Sequence, residues 1–197
     1  MQHLSTGGEQ SKGDLRTAML ARRAAIPAAE RGRSARALGE IGLDWLPDAA
    51  GAIVSGFFSI GDELGTQRLL AALHSAGHPL CLPVMQARDK PLLFRAWAPG
   101  DAMATAVWGI QEPQALQPER HPAILLVPLL AVDVHGWRLG YGGGYYDRTL
   151  RQLRRDRRVL AVGLAFDEQV IDAVPHLDYD ERVDWVLTPT GPRACQP

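Results

Sequence analysis

Lysine is almost missing from this chain: Lys12 and Lys90 are the only two, so chemistry that needs an ammonium group has just those candidates. Cysteine is as scarce. Cys81 and Cys195 make no CxxC pair and no disulfide framework; Cys81 sits in an apolar, strand-like run and Cys195 in a polar tail. No apolar run reaches the length of a membrane span, and the first dozen residues lack the apolar stretch of a signal peptide. The chain therefore reads as cytoplasmic and reduced. An excess of charge of either sign is also lacking. A formal net charge of −1 removes the electrostatic reason to expect nucleic acid or an anionic membrane as a partner. His74 and His78 stand four apart, but Gly77 breaks the helix between them, and no other His or Cys pattern suggests a metal. There is no Gly-x-Ser-x-Gly elbow and no cysteine placed as a nucleophile. Chemistry falls to carboxylates and glycines, a combination suited to phosphate and Mg²⁺.

What is present is ordinary for a soluble α/β domain. A length of 197 residues suits one domain with a proper core. Residues 1–11, rich in Ser, Gly and Gln, read as a disordered tail, 12–190 as the domain, and 191–197 as a second tail. Asp14 can cap a first helix that buries Leu15, Met19 and Ile26. Pro27 opens a second, with Leu38, Ile41 and Trp45 at helical spacing. Ala52–Phe58 suits a buried strand, Thr66 can cap a helix ending at Gly77, and Leu80–Met85 is the next strand. Such a β-loop-α-β unit implies parallel strands joined by a right-handed crossover. Leu92–Trp97 reads as a further strand. Residues 99–122 form a long loop without periodicity. Its apolar members Met103, Val107, Trp108 and Ile110 suit either a binding lid or a cover for a sheet edge. Ala123–Val132 reads as one continuous central strand, Tyr146–Arg158 as a helix, Val159–Phe166 as a strand, Asp167 as the cap of a short helix, and Val183–Leu187 as a last strand.

Between the central strand and its helix lies Arg138-Leu139-Gly140-Tyr141-Gly142-Gly143-Gly144-Tyr145-Tyr146-Asp147-Arg148. Glycines let main-chain N–H groups turn toward one point, and the N-terminus of the following helix favours an anion at that point. The stretch reads as a phosphate cradle, although Gly144 is not followed by the Lys-Ser/Thr of a P-loop and the spacing is not a dinucleotide fingerprint. A glycine turn that merely passes close to its neighbours is the alternative. Lys12 and Arg16 point the same way from the first helix, Asp62 and Glu63 lie on the ligand side of the first parallel unit, and arginines cover one face of 151–158. Taken alone, each reads as a solvated surface.

These residues carry a resemblance. Val127-Pro128, Asp133 and Arg138 to Asp147 resemble the signature of the 5-formyltetrahydrofolate cyclo-ligase family, also called methenyltetrahydrofolate synthetases. Lys12-Gly-Asp-Leu-Arg16 with Arg22-Arg23 is similar to its amino-terminal motif, and Phe58-Ser59, Glu63 and Thr66 to its substrate loop. Gly109-Ile110-x-Glu112-Pro113 resembles its middle motif. Ala165-Phe166-x-x-Gln169, Val174-Pro175, Asp180 and Val183-Asp184 resemble its carboxyl-terminal block. Tyr141 and Gly143 stand where some members carry Arg and Lys, and Trp185 replaces a frequent Glu.

The resemblance implies a single-domain three-layer α/β/α fold with a mostly parallel sheet (NagB/RpiA/CoA-transferase-like). It also implies conversion of 5-formyltetrahydrofolate and ATP to 5,10-methenyltetrahydrofolate, ADP and phosphate with Mg²⁺. By the same likeness Lys12, Arg16 and Arg138 to Tyr146 would bind ATP, and Asp147 and Asp180 the metal. Phe58, Glu63 and the loop from Tyr141 to Tyr145 would contact the folate, with Arg138, Tyr145 and Asp147 as the catalytic group. Partners would be small molecules alone, without nucleic acid or membrane, on a monomer or weak homodimer. A non-catalytic folate- or nucleotide-binding protein of the same fold is the alternative, and an RNA-binding role for the Arg151–Arg158 face a third.

Overall fold

The computed structural model describes residues 6–106 and 109–197, with the side chains of the first helix from Lys12 onward. In chain order the elements are α1 (Thr6–Ala24), α2 (Ala28–Ile41), β1 (Val54–Ser55), α3 (Gln67–Ser75), β2 (Leu80–Val84) and β3 (Leu93–Ala96). The short pair β4 (Met103–Thr105) and β5 (Gln111–Pro113) precedes β6 (Ile124–Pro128), β7 (Ala131–Val132), β8 (Arg138–Leu139), α4 (Tyr145–Asp156) and β9 (Leu160–Leu164). A 3-10 turn at Asp167–Gln169, then β10 (Trp185–Thr188) and β11 (Gly191–Ala194), complete the chain.

The main sheet has the order β11-β10-β9-β6-β1-β2-β3. From β10 to β2 every neighbouring pair is parallel, while β3 and β11 pair antiparallel at the two edges. Central parallel strands are buried on both faces, and their residues divide by the period of two. Leu82, Ile124, Leu126, Val162, Leu164 and Leu187 face a cluster that includes Leu38 of α2 and Leu69, Leu70 and Leu73 of α3. Cys81, Leu125, Val127, Ala161 and Val186 face the other side, with Leu150 and Leu153 of α4. The result is three layers, helix, sheet and helix. Met19 of α1 packs separately, with Leu130, Ala131 and Leu139, on the small hairpin of β7 and β8.

Several boundaries depart from the sequence reading. α1 begins at Thr6, eight residues before the expected cap at Asp14, so residues 6–11 are helical rather than a disordered tail; residues 1–5 lie outside the described residues. Once a helix is nucleated and packed, extension fixes one residue per hydrogen bond, which outweighs the poor propensity of two glycines. α2 stops at Gly42, where φ is +59°, so Trp45 lies beyond it and packs on Trp185 with ring centroids 5.0 Å apart. This contact gives Trp185 a role in the core. The expected tail contributes the edge strand β11, where Pro192 is tolerated because an edge strand leaves one side unpaired. Residues 99–122 contain the hairpin of β4 and β5, anchored where Glu112 accepts a hydrogen bond from the Met85 amide at 3.0 Å. Val107 and Trp108 of that loop lie outside the described residues.

The largest departure concerns Ala123–Val132. The run breaks after Pro128, and Ala131–Val132 leaves the sheet to pair antiparallel with Arg138–Leu139. Buried Asp133 makes the turn of that hairpin. Its Oδ1 accepts the amides of His135 and Trp137 at 3.0 and 3.1 Å, and its Oδ2 accepts that of Val174 at 2.9 Å. Gly136 completes the turn at φ +81°, and a Cβ there would lie 2.2 Å from the Val183 carbonyl oxygen. Replacing Asp133 by Ala would orphan three amides, each worth about 1 kcal/mol or more. The Asp133→Ala protein is therefore expected to lose about 3 kcal/mol in a urea titration, and Asp133→Asn, which keeps one acceptor oxygen, distinctly less.

Candidate functional site

The chain runs from β1 to β2 on one side of the sheet and from β6 through β9 to β10 on the other. The order thus reverses between β1 and β6, where an open parallel sheet forms its crevice at the carboxyl ends of the strands. Phe57 follows β1, Leu129 follows β6, and Pro128 and Leu164 end β6 and β9. With Arg23, Glu63, Leu64 and Gln169 they line a small void of about 10 Å³.

The loop that brings Glu63 to this place is held by its own polar groups. Thr66 Oγ1 donates to the Phe57 carbonyl at 2.5 Å, Ser59 Oγ donates to the Leu64 carbonyl at 2.6 Å, and the Thr66 amide donates back to Ser59 Oγ at 3.1 Å. The hydroxyl of Thr66 thus closes the loop rather than capping α3. Glu63 Oε2 accepts the Ile60 amide at 2.9 Å, and Asp62 pairs with Arg31 at 3.1 Å. Phe58 stands edge-on to Trp97, ring centroids 5.3 Å apart, packed against the core cluster, so that Phe57 rather than Phe58 lines the void.

The glycine loop crosses from this void to the N-terminus of α4. Tyr141 lies on the void side: its hydroxyl donates to Glu63 Oε1 at 2.6 Å and accepts from Arg23 Nη1 at 2.6 Å. Gly142, Gly143 and Gly144 lie on the other side, lining with Asp147, Arg148, Arg151 and Tyr179 an open cleft of about 310 Å³. Gly144 caps α4 at φ +65°, a left-handed conformation that glycine adopts without penalty, and the first amides of the helix follow it. Arg148 braces the loop, donating through Nη2 to the carbonyls of Gly143 at 2.8 Å and Arg88 at 2.7 Å, with its guanidinium 5.2 Å from the Tyr145 ring centre. Arg16 donates to the Gly140 carbonyl at 2.9 Å and runs beside Gly142.

The predicted charged residues come together, but as pairs. Arg138, almost wholly buried, donates to Asp147 Oδ1 at 2.8 Å, and the same oxygen accepts the Glu181 amide at 3.0 Å. Lys12 is bonded to Asp180 Oδ2, which also accepts the Leu177 amide at 2.6 Å. The residue expected for phosphate and one expected for metal therefore neutralise each other. Leu139 is buried in the hairpin core and offers its carbonyl to the Leu130 amide at 2.7 Å. Among the described residues, the buried side-chain polar atoms without a hydrogen-bond partner are Arg23 Nε, Arg138 Nη1 and Tyr146 Oη. Burial pushes the Tyr146 hydroxyl well above its ordinary range, so it stays protonated. An orphaned buried group is costly and asks for an explanation, and all three belong to the same region as the glycine loop.

Arg23, Arg151, Tyr179 and Gln169 also line these two spaces. Arg151 was legible in principle, since it stands four residues after Asp147 on one helical face. Arg23 and Gln169 stand in stretches similar to the family's motifs, but nothing local gives either a role. Gln169 spans the void by donating to the carbonyls of Leu129 and Leu130 at 2.9 and 3.0 Å while its Oε1 accepts the Phe166 amide at 3.0 Å. No local pattern announces that arrangement. Among the described residues no group of three His, Cys, Asp or Glu side chains can hold a metal unaided, and no helix is long and apolar enough to cross a membrane.

This geometry can be set beside known proteins. A 5-formyltetrahydrofolate cyclo-ligase from Mycolicibacterium smegmatis is 36% identical over 195 residues, covering 91% of this chain and 94% of that protein. The enzyme of the same name from Haemophilus influenzae is 30% identical over 176 residues, covering 87% and 94%. The solved structure of Aquifex aeolicus 5,10-methenyltetrahydrofolate synthetase superposes with a TM-score of 0.77 at 25% identity, covering 94% of this chain and 93% of that one. The sequence model of the 5-formyltetrahydrofolate cyclo-ligase family matches residues 8–189, a span that holds the hairpin, the glycine loop and both ion pairs, and the chain belongs to that family.

Proposed function

We propose that this protein closes 5-formyltetrahydrofolate to 5,10-methenyltetrahydrofolate at the expense of ATP, releasing ADP and phosphate. The observation that carries the reading is the placement of Gly144. It is a left-handed cap at the N-terminus of α4, beside a cleft walled by Gly142, Gly143, Asp147, Arg148 and Arg151. Main-chain amides and a helix dipole there favour a polyphosphate, and the arginines add charge. On the far side of the same loop lies the switch-point void with Glu63, where the folate would sit. One loop thus borders both substrates.

The formyl oxygen is a poor leaving group until it is phosphorylated. Its attack on the γ-phosphorus breaks the bond to ADP; N10 then adds to the formyl carbon, loses its proton, and phosphate departs with the former formyl oxygen. Such a transfer needs positioning and charge neutralisation more than covalent help from the protein. The loop amides from Gly142 to Tyr145 would hold the phosphates, Arg138 would keep Asp147 oriented, and Arg16 would fix the loop through Gly140. Lys12 would act together with Asp180 rather than as a lone cation. Mg²⁺ is usually held by one or two carboxylates, phosphate oxygens and water, and this donor set fits: Asp147 lines the cleft and both its hydrogen bonds fall on Oδ1. Asp180, likewise bonded through one oxygen, is the second candidate. Bound there, the metal would neutralise the charge on the phosphate oxygens. A cytoplasmic location suits a reaction among soluble metabolites.

Mixing the purified protein with 5-formyltetrahydrofolate, ATP and Mg²⁺ should develop the near-ultraviolet absorbance of the methenyl product; intact binding of both ligands without turnover would favour a non-catalytic binding protein instead. Asp147→Asn, which preserves an acceptor for Arg138 but removes the charge that balances it, is expected to lower kcat by about a hundredfold or more in a protein that still folds, at a lower thermal midpoint. Full activity in that variant would remove Asp147 from the reaction. In Gly144→Ala the new Cβ would lie 2.6 Å from Arg148 Nη1 at a φ that suits glycine. ATP affinity, measured by calorimetry, should fall about tenfold, while 5-formyltetrahydrofolate affinity changes little.

A further inference from the structure

The switch-point void has room for about one water, yet two charged side chains line it. Arg23 is only 6% exposed, and its Nε has no partner. Between Arg23 and Glu63 stands one atom, the hydroxyl oxygen of Tyr141, at 2.6 Å from each. Burial, reinforced by the hydrogen bond to Glu63, pushes that hydroxyl up to about 12, so it remains a donor to the carboxylate while it accepts from the guanidinium. Tyr141 as a whole is about half exposed, at 52%. Tyr141 is also flanked by glycines: a Cβ at Gly140 would meet nothing within 4 Å, and Gly142 sits at φ +98°. Glycine on either side of the tyrosine removes the side-chain barrier to main-chain rotation there, leaving the Arg16 bond to the Gly140 carbonyl as the contact to be released or kept.

We propose that Arg23 is a substrate-binding residue which, with Glu63, reads the amide edge of the pterin ring, and that the Tyr141 hydroxyl occupies that position until folate arrives. The inference rests on the cyclo-ligase reading above. A hydroxyl that accepts on one side and donates on the other offers the same complement as a ring N–H beside a carbonyl. The pterin has that edge: its N3–H and 2-amino groups donate to Glu63, and its C4 carbonyl accepts from Arg23. The carbonyl can take the hydroxyl's place at Nη1 or, with a turn of the guanidinium, accept from the edge that Nε shares with Nη2, and that second pose satisfies a donor the tyrosine leaves unmet. The present void cannot admit a bicyclic ring, so Tyr141 must swing away, and the flanking glycines allow it. Recognition at the carbonyl thus falls to the arginine on α1.

Binding of 5-formyltetrahydrofolate is measured by calorimetry without ATP, alongside KM for both substrates, in wild type, Arg23→Gln, Tyr141→Phe and the double variant. Arg23→Gln should weaken folate binding about tenfold or more and raise the folate KM while leaving the ATP KM in place. Tyr141→Phe should tighten folate binding about threefold or more, because only the closed state loses hydrogen bonds, and the gain should shrink when Arg23 is already replaced. An unchanged folate KM in Arg23→Gln overturns the proposal, as does unchanged or weaker folate binding in Tyr141→Phe. Thermal melts establish folding; if Arg23→Gln does not fold, the half-exposed Tyr141→Phe decides alone. Wild type that binds no 5-formyltetrahydrofolate overturns the cyclo-ligase reading and this inference together. Wild type that binds it, with variants that behave alike, overturns this inference only.

Discussion

Asp133 is the point on which the site hangs. One buried carboxylate takes three main-chain amides, two from the turn that follows it and one from Val174, forty-one residues further on. Those bonds turn the chain back after β6 and lay β8 against β7, so that Arg138 enters the glycine loop from a fixed base. Trp137 reinforces the same junction by stacking on His176, ring centroids 3.8 Å apart and nearly parallel. Without this clamp, a loop of four glycines in five residues would have one defined end, at α4, and the entropy of the rest would oppose any single arrangement of its amides.

The second constraint is charge. Arg138 with Asp147 and Lys12 with Asp180 are two largely buried pairs that draw α1, the hairpin, α4 and the segment 177–181 to one place. Taking such charges out of water costs about as much as their attraction returns, so their net contribution to stability is small. Their effect is on position. Each member loses far more from a missing partner than it gains from a present one, which makes alternative dockings of α1 or of the 177–181 segment unfavourable. The arginines of α4 are used likewise: Arg154 reaches Glu181 at 3.1 Å and Asp184 at 2.9 Å, and Arg151 reaches Glu181 at 3.2 Å. Two arginines of the face that suggested RNA by composition are thus committed to carboxylates of the same chain.

Dense hydrogen bonding at the core of the site coexists, among the described residues, with three unmet buried atoms, on Arg23, Arg138 and Tyr146. A protein core seldom tolerates such groups, and their gathering around a loop that borders two spaces suits a region shaped for ligands rather than for its own packing. Elsewhere on the sheet the contrast is plain: Trp45 and Trp185 pack on one another within an apolar cluster.

What could be read from residue order was whatever depends on neighbours in the chain. The glycine loop before a helix, the apolar runs of β2, β6 and β9, and the parallel crossovers follow from local period and composition, because backbone geometry repeats over a few residues. The family likeness rests on the same kind of information, ordered short motifs, and it drew Lys12, Glu63, Asp147 and Asp180 to one site. Their pairing was not legible. That Lys12 would neutralise Asp180 across 168 positions, that the central apolar run would divide into β6 and β7, and that Tyr141 would join Arg23 to Glu63 were decided by folding. Each depends on which distant groups meet in a dry interior, where a charge or a hydroxyl must take the partner that packing brings it.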